Sequence, residues 1–226
     1  LMDVESAEQI KKWMKTDKVA FPIMIKAVAG GGGRGMVKVE NKDQLPQAVS
    51  QARSEAMKSF GDERILVEKY IERGRHIEVQ IVGDEQGNMV HLYERECTIQ
   101  RRNQKIIEEA PSPSIDEDLR KEICFTAIRL MREIGYKSAG TVEFIFDSAT
   151  KKYYFLEVNT RLQVEHGITE LITGVDIVGI MLDVAEGKKL PFKQADIHPN
   201  RWALEVRLNA EDPKNFSPSF GTITRL

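Results

Sequence analysis

Hydrophobic and polar positions in residues 1–70 predict a small unit of strands and helices. A capping box at residues 6–9 predicts a short helix that ends near Thr16. A β-rich run over 21–27 predicts a strand that ends in a polyglycine loop. Alternation over 36–40 predicts a second strand, helical spacing over 45–56 predicts a helix, and residues 65–70 predict a third strand. We therefore expect the order strand, loop, strand, helix, strand.

The rest of the chain has longer predicted strands. Alternation over 76–82 puts isoleucine and valine on one face, with His76, Glu78 and Gln80 on the other. Further elements are predicted as follows: a strand over 89–94, a long helix capped by Ser114, strands over 141–146 and 153–158, a helix over 176–186 and a strand over 203–208. Antiparallel strands with interspersed helices are typical of an α+β fold rather than a doubly wound sheet.

The composition disfavours several classes of binding partner and of structural site. A net charge of −2 over 226 residues disfavours non-specific binding to nucleic acid or membranes, which needs a cationic face. Cys97 and Cys124 are too few for a disulfide framework and are wrongly spaced for zinc, which indicates a reducing compartment. No apolar run approaches transmembrane length, and no signal peptide is visible. Because the chain begins with Leu1 and ends on an expected strand, we expect it to be a piece of a longer protein.

The glycine-rich segment 30–35 formally contains the spacing G-x-G-x-x-G, which alone is weak. A dinucleotide site needs a helix directly after the loop, whereas an alternating strand follows here. A loop between two strands is instead typical of a flap whose N–H groups lie over phosphates. A protein-kinase flap is excluded because H-R-D and D-F-G are missing and Lys26 precedes the loop. The flanking apolar strands favour the nucleotide flap over a flexible linker.

Two glutamates are expected to face each other on the hairpin of strands 141–146 and 153–158. Counting by twos puts Glu143 almost opposite Glu157, with Asn159 continuing the row. Like charges directly opposite are destabilising, and a divalent cation between them reverses that sign. The alternative is a pair of exposed glutamates on a solvent face. Asn159 on the same face favours the metal.

Three other polar segments are ambiguous from the residues alone. The run 157–166 contains an arginine fork, Arg161, and two possible bases, Glu165 and His166, although a lone histidine is more often a packing residue. The basic segment 100–105 could equally be a solvated turn, with the two glutamates that follow at 108–109 as a balancing surface pair. An arginine on a polar strand face, such as Arg207, is more often structural than catalytic.

Several strings together resemble the biotin carboxylase component of acyl-CoA, pyruvate and urea carboxylases. They are FPIMIKA at 21–27 with its glycine loop, EKYI at 68–71, RHIEVQ at 75–80, ERECTIQRRNQK at 94–105, EVNTRLQVEH at 157–166 and AEDP at 210–213. The resemblance implies an α+β ATP-grasp fold truncated at both ends. It would comprise a lid subdomain over 1–70, a central body over 71–192 and the start of a C-terminal domain over 193–226.

The resemblance also implies a role for each matched residue. The ATP-binding set would be Lys26, Gly30, Gly31, Gly32, Gly33, Gly35, Glu68, Lys69, Ile71, His76, Gln100 and Asn103, the last standing where many members have histidine. Mg²⁺ or Mn²⁺ would be held by Glu143, Glu157 and Asn159. Bicarbonate would be surrounded by Lys105, Arg161, Gln163 and Val164. Glu165 would act as the base and Arg207 would stabilise the biotin enolate, with Lys105 and Arg161 completing the catalytic set.

The implied reaction is ATP-dependent carboxylation of biotin with bicarbonate, through carboxyphosphate. The implied partners are a biotin carboxyl carrier and a carboxyltransferase, as separate proteins or domains, with a homo-oligomer in the intact enzyme and neither nucleic acid nor membrane. The expected compartment is the cytoplasm or the mitochondrial matrix. Residues 193–197 and 202–203 resemble those of propionyl-CoA-type carboxylases. Two alternatives stay open: another ATP-grasp ligase, such as half of a carbamoyl-phosphate synthetase, and a non-catalytic subunit-contact module. A fragment of this kind can be inactive alone.

Overall fold

Two antiparallel sheets and five α-helices make up the described part of the molecule. The computed structural model describes residues 2–4, 6–16, 19–30 and 35–222. The helices are α1 (Ala7–Thr16), α2 (Leu45–Phe60), α3 (Glu117–Glu133), α4 (His166–Thr173) and α5 (Ile177–Ala185). None of the helices in these ranges combines the length and the apolarity needed to cross a membrane.

The first sheet has four strands and its own hydrophobic core. Its strands are β1 (Met2–Val4), β2 (Ile23–Ala27), β3 (Met36–Val39) and β4 (Ile65–Lys69), in the order β1-β4-β2-β3. Ile23 and Ile25 of β2 pack against Leu45 and Ala52 of α2, all without exposed surface. α2 ends at Phe60 and is capped by Gly61, whose left-handed φ of 71° suits a residue without a Cβ. The predicted helices and strands of this unit are confirmed, and β1 was not predicted.

The second sheet has six strands. They are β5 (Gly74–Gly83), β6 (Met89–Arg101), β7 (Gln104–Ala110), β8 (Ser138–Asp147), β9 (Lys152–Asn159) and β10 (Ala203–Val206), in the order β10-β7-β6-β5-β8-β9. The predicted two faces of β5 are confirmed, because Ile77 and Val79 lie in a core cluster with Ile123 of α3. Glu78 and Gln80 are buried on the opposite face. That opposite face therefore collects buried polar side chains.

The structure corrects the predicted strand over 89–94, which is longer and is followed by a second strand. β6 continues to residue 101, and β7 follows after a two-residue turn at Arg102 and Asn103, with φ of 52° and 64°. The basic segment therefore comprises the end of β6, an exposed turn and the start of β7, so the predicted solvated turn is only the tip of a strand hairpin. Glu108, predicted to form a surface pair with Glu109, has no exposed surface because it lies on the inner face of β7.

Two helix starts also differ from expectation. Asp116, not Ser114, caps α3, and its carboxylate accepts a hydrogen bond from the N–H of Leu119 at 2.9 Å. The helix α4 was not predicted, since the sequence ahead of it reads as a charged loop. Glu165 is the residue directly before α4, so the N-terminus of this helix fixes its position.

Candidate active site

One cavity of about 1130 Å³ is lined by residues of both sheets. It brings together every predicted site residue in the described ranges except Gly30 and Gly35. These lining residues are Lys26, Glu68, Lys69, Ile71, His76, Gln100, Asn103, Lys105, Glu143, Glu157, Asn159, Arg161, Gln163, Val164, Glu165 and Arg207. Residues far apart in sequence therefore share one site, although the role of each stays a prediction.

The glycine loop begins and ends on the paired strands β2 and β3. Gly31, Gly32 and Gly33 lie outside the described residues. At the base of the loop the N–H of Ala27 donates to the carbonyl of Gly35 at 2.8 Å. Gly35 has a φ of 67°, and a Cβ there would lie 2.9 Å from the Cβ of Ala27. Both the dihedral angle and the close approach require glycine at this end of the loop.

Lys26 and Glu68 form an ion pair on the small sheet. The Nζ of Lys26 lies 2.5 Å from Oε2 of Glu68, and both side chains are mostly buried. The two residues come from neighbouring strands, β2 and β4, that pair antiparallel. This pair places one cation on the small-sheet wall of the cavity, where a phosphate group could meet it.

The predicted carboxylate pair is present on the hairpin of β8 and β9. Glu143 lies directly opposite Glu157 in the register, and Thr141 lies opposite Asn159. The side-chain amide of Asn159 donates to Oε1 of Glu143 at 3.0 Å and to Oε1 of Glu157 at 3.4 Å. Two carboxylates and an amide oxygen are hard oxygen donors of the kind that Mg²⁺ prefers. The donor types suit Mg²⁺, and the set Glu143, Glu157 and Asn159 stays a prediction, because the ligand atoms that lie within 4.8 Å of one another around Glu143 belong to His76, Glu78 and Glu143.

Lys105 is the cationic centre of the acidic face. Its Nζ donates to Glu78, to Glu143 at 2.9 Å and to Glu165 at 2.6 Å. Burial acts to lower the pKa of Lys105, but these three carboxylates outweigh it and hold the pKa above its usual value. Lys105 therefore remains charged at neutral pH, as a group that fixes anions rather than one that moves protons.

Glu143 is held as a carboxylate by several donors. Burial acts to raise its pKa, but His76 and Lys105 outweigh it and hold the pKa well below its usual range. Nε2 of His76 lies 2.9 Å from Oε2 of Glu143, and Gln163 donates to Oε1 at 2.9 Å. The amide of Gln100 in turn lies 3.1 Å from Nδ1 of His76. Glu143 is therefore a carboxylate at neutral pH.

Glu165 lies between two cations at the start of α4. Its Oε1 accepts from Lys105 and its Oε2 accepts from Nη2 of Arg207 at 2.7 Å. Its side chain is almost fully buried. Arg161 and Val164 nearby are exposed and lie at the open side of the cavity. Lys105, Arg207 and Arg161 therefore bring three cations to the part of the cavity that contains Glu165.

The neighbouring His166 has a different environment. Its Nδ1 lies 2.9 Å from the carbonyl oxygen of Gln163, to which the ring nitrogen donates. This contact ties the histidine to the turn before α4. It favours the packing and hydrogen-bonding role over that of a base.

The main residue missed by sequence reasoning is Arg95 on β6. It has no exposed surface. Its guanidinium donates to Glu78 at 2.6 Å and to Gln80 and Thr169 at 2.8 Å each. It also donates to Gln163 at 3.2 Å. Arg95 thus joins β5, α4 and the segment before α4 beneath the cavity floor, and a strand with a polar inner face should have indicated that such a countercharge is needed.

Comparison with known proteins shows to which family the chain belongs. A family model described as "Carbamoyl-phosphate synthase L chain, ATP binding domain" matches residues 2–193. The chain belongs to this family. Within it, the chain is 52% identical over 221 residues to Biotin carboxylase 2 of Bacillus subtilis, covering 97% of the chain and 50% of the relative. It is 50% identical to the Propionyl-CoA carboxylase alpha chain of Ruegeria pomeroyi, covering 98% of the chain and 32% of the relative.

Solved structures show the same similarity in three dimensions. A biotin carboxylase from Campylobacter jejuni, solved as a β-γ-ATP complex, has a TM-score of 0.91 and 48% identity, covering 96% of the chain and 48% of that structure. The biotin carboxylase domain dimer of Hydrogenobacter thermophilus 2-oxoglutarate carboxylase, solved with MgADP, ADP and bicarbonate, has a TM-score of 0.90 and 46% identity, covering 96% and 47%. The predicted ATP-grasp fold and the resemblance to biotin carboxylases are confirmed. The chain spans about half or less of the length of these relatives.

Proposed function

We propose that the chain is the ATP-binding part of a biotin carboxylase, which uses ATP and bicarbonate to carboxylate biotin. The observation that carries the proposal is Glu165, a buried carboxylate held by Lys105 and Arg207. The same cavity contains the opposed pair Glu143 and Glu157. A base, anion-binding cations and a metal-binding pair in one cavity are the groups that phosphorylation of bicarbonate needs.

On the nucleotide side, Lys26 and the glycine loop would contact the phosphates of ATP. Glu68 and Lys69 at the end of β4 and Ile71 just after it line the cavity wall. Lys69 would contact the phosphates or the adenine edge, and Glu68 and Ile71 would contact the adenine. His76, Gln100 and Asn103 would complete the nucleotide site. Glu143, Glu157 and Asn159 would hold Mg²⁺ or Mn²⁺, which when bound supplies positive charge to the phosphate oxygens.

On the bicarbonate side, Lys105, Arg161, Gln163 and Val164 would surround the anion. Glu165 would accept the bicarbonate proton, and the freed oxygen would attack the γ-phosphorus to form carboxyphosphate and ADP. Carboxyphosphate then breaks its carbon–oxygen bond to give CO₂ and phosphate. The phosphate takes the ureido proton of biotin, and the ureido nitrogen attacks CO₂. Arg207 would stabilise the negative oxygen of the biotin enolate in that step.

The proposal is tested in the longer protein that contains this chain. Glu165→Gln and Arg207→Ala should each reduce ATP hydrolysis that depends on bicarbonate and biotin to a small residual rate, measured as ADP release. Lys12→Ala on the exposed face of α1 serves as a control that should retain the wild-type rate. Near-normal carboxylation in both active-site variants would contradict the proposed function.

A second candidate is favoured by the family description itself. A carbamoyl-phosphate-synthase type of ligase would also form carboxyphosphate from bicarbonate and ATP, but the acceptor would be ammonia. Carboxylation assays with free biotin and with ammonium as alternative acceptors separate the two. We favour biotin because the relative from Bacillus subtilis and the structure from Campylobacter jejuni are both named biotin carboxylase.

The proposed reaction implies partners for the product. Carboxybiotin would be carried by a biotin carboxyl carrier protein or domain to a carboxyltransferase, and the intact enzyme would be a homo-oligomer. The structural relative from Hydrogenobacter thermophilus is described as a dimer, and relatives from rat and mouse are named mitochondrial. The final acceptor of the carboxyl group and the compartment of this protein stay predictions.

A further inference from the structure

The carboxylate of Glu108 has no exposed surface and a single cationic partner in the described residues. Its Oε1 lies 2.6 Å from Nη2 of Arg207. The same Nη2 atom lies 2.7 Å from Oε2 of Glu165. One guanidinium nitrogen therefore lies between two buried carboxylates, one from β7 and one at the start of α4.

The backbone holds Glu108 and Arg207 in a fixed relation. β7 and β10 pair antiparallel, with Glu108 opposite Glu205, and the N–H of Arg207 donates to the carbonyl of Ile106 at 3.0 Å. Arg207 therefore leaves the end of β10 on the same face as Glu108. Glu108 does not line the cavity, whereas Arg207 and Glu165 do.

Stability is a poor explanation for this buried pair. Burial raises the pKa of Glu108, although Arg207 offsets part of that rise, so keeping the charge there costs free energy. Buried ion pairs are often no more stabilising than apolar residues of the same volume. A costly charge that contacts a group of the site, without reaching the cavity itself, points to a role in the site.

We propose that Glu108 is a positioning residue that anchors the guanidinium of Arg207 at the acceptor end of the cavity. This inference rests on the proposed function, in which Glu165 becomes protonated during the reaction. A neutral Glu165 attracts Arg207 less than a carboxylate does, and a second carboxylate is then needed to keep the guanidinium in place. Glu108 supplies it, because it contacts no substrate and stays paired with Arg207. It also prevents Arg207 from pairing with Glu165 alone.

Glu108→Gln in the intact enzyme tests the anchor. We expect kcat/KM for biotin to fall about 10- to 100-fold, the usual effect of removing a group that orients a site residue. KM for ATP should stay within about twofold, since the nucleotide wall at Lys26 is not touched. Glu109→Gln is the matched control: it is the same change one residue along β7, on the opposite face, and should leave all constants within about twofold.

A double-mutant cycle separates positioning from a general structural effect. If Glu108 acts through Arg207, Glu108→Gln should cause no further loss of the residual rate of Arg207→Ala. A Glu108→Gln variant with wild-type activity would overturn the inference. So would a double variant in which Glu108→Gln lowers the rate of Arg207→Ala by the same factor by which it lowers the rate of the wild-type enzyme. Thermal unfolding of each variant checks its folding. If Glu108→Gln does not fold, Glu108→Asp, which keeps the charge on a shorter arm, should still lower kcat/KM for biotin, and a wild-type value would overturn the anchor.

Failure of the proposed function would look different. A wild-type enzyme that hydrolyses ATP without needing bicarbonate and biotin would remove the basis of both proposals. An active wild type with an unaffected Glu108→Gln variant would overturn the anchor alone.

Discussion

Arg95 carries its charge with no access to water, and its surroundings explain how. Burial acts to lower its pKa, but Glu78 outweighs it, so the pKa is raised and the guanidinium stays ionised. The hydrogen bonds to Gln80 and Thr169 satisfy further donors. Removing one partner of a buried ion pair is strongly destabilising because the other charge is left without compensation.

We therefore expect Arg95→Met to lower the free energy of unfolding by about 3–5 kcal/mol. Urea denaturation measures the change. Arg129→Met on the exposed face of α3 is the control, and it should change stability by no more than about 0.5 kcal/mol. Equal changes in unfolding free energy in the two variants would mean that the buried hydrogen bonds of Arg95 contribute no more to stability than an exposed arginine does.

The surroundings of a residue decide whether its position can be predicted from the sequence. Glu143 and Glu157 could be predicted as a pair, because alternation and a short connection fix the register of a hairpin. Arg95 and Glu108 were not predicted, because a polar residue in a strand is usually assigned to solvent. The inner face of this sheet is buried and polar at once, and burial by a distant helix such as α4 is not encoded in local periodicity.

At the scale of elements, the same reasoning explains which strands were found. β5 and β8 alternate clearly and were predicted, whereas the hairpin of β6 and β7 was read as a strand followed by a basic turn. Its turn at Arg102 and Asn103 contains no glycine, although both residues have positive φ. Without that turn signal, the paired strands could not be separated from a loop.

The strand β6 also carries a titratable group that links its packing to pH. His91 is mostly buried, and burial lowers its pKa to about 4. Its Nδ1 accepts a hydrogen bond from the N–H of Tyr93 at 3.3 Å, and its ring packs edge-on against Phe125 at 5.9 Å between ring centres. A protonated ring could not accept that bond, so the folded state requires the neutral form.

The sign of the pH dependence follows from the lowered pKa. Above about pH 6.5 the ring is neutral in both states, and below that pH the unfolded chain binds a proton that the folded chain does not bind until about pH 4. We expect this residue to remove about 2 kcal/mol of unfolding free energy between pH 7 and pH 5. His91→Asn, measured by urea denaturation at both pH values, should lose that part of the dependence. His198→Asn at an exposed position should retain it, and an unchanged slope in His91→Asn would contradict the assignment.

At the scale of the whole molecule, the cavity joins two units with separate hydrophobic cores. One core packs α2 on the small sheet and the other packs α3 on the large sheet. The cavity walls come from both, with Lys26 on one side and Glu157 on the other. A ligand that contacts both walls stabilises both units, by about 2.7 kcal/mol at a hundred times its dissociation constant.

ATP with Mg²⁺ should therefore slow amide hydrogen exchange in β2–β4 and in β8–β9 together. The reason is that a nucleotide spanning the cavity must be released before either sheet opens. Lys26→Ala should reduce the protection of both sheets, although the substituted residue lies on only one, and Glu157→Gln should remove the difference between ATP with and without Mg²⁺. Lys12→Ala, exposed on α1, is the matched control and should leave both effects unchanged. Protection confined to a single sheet would show that the nucleotide does not bridge the two units, and protection unaffected by either cavity variant would place it elsewhere on the molecule.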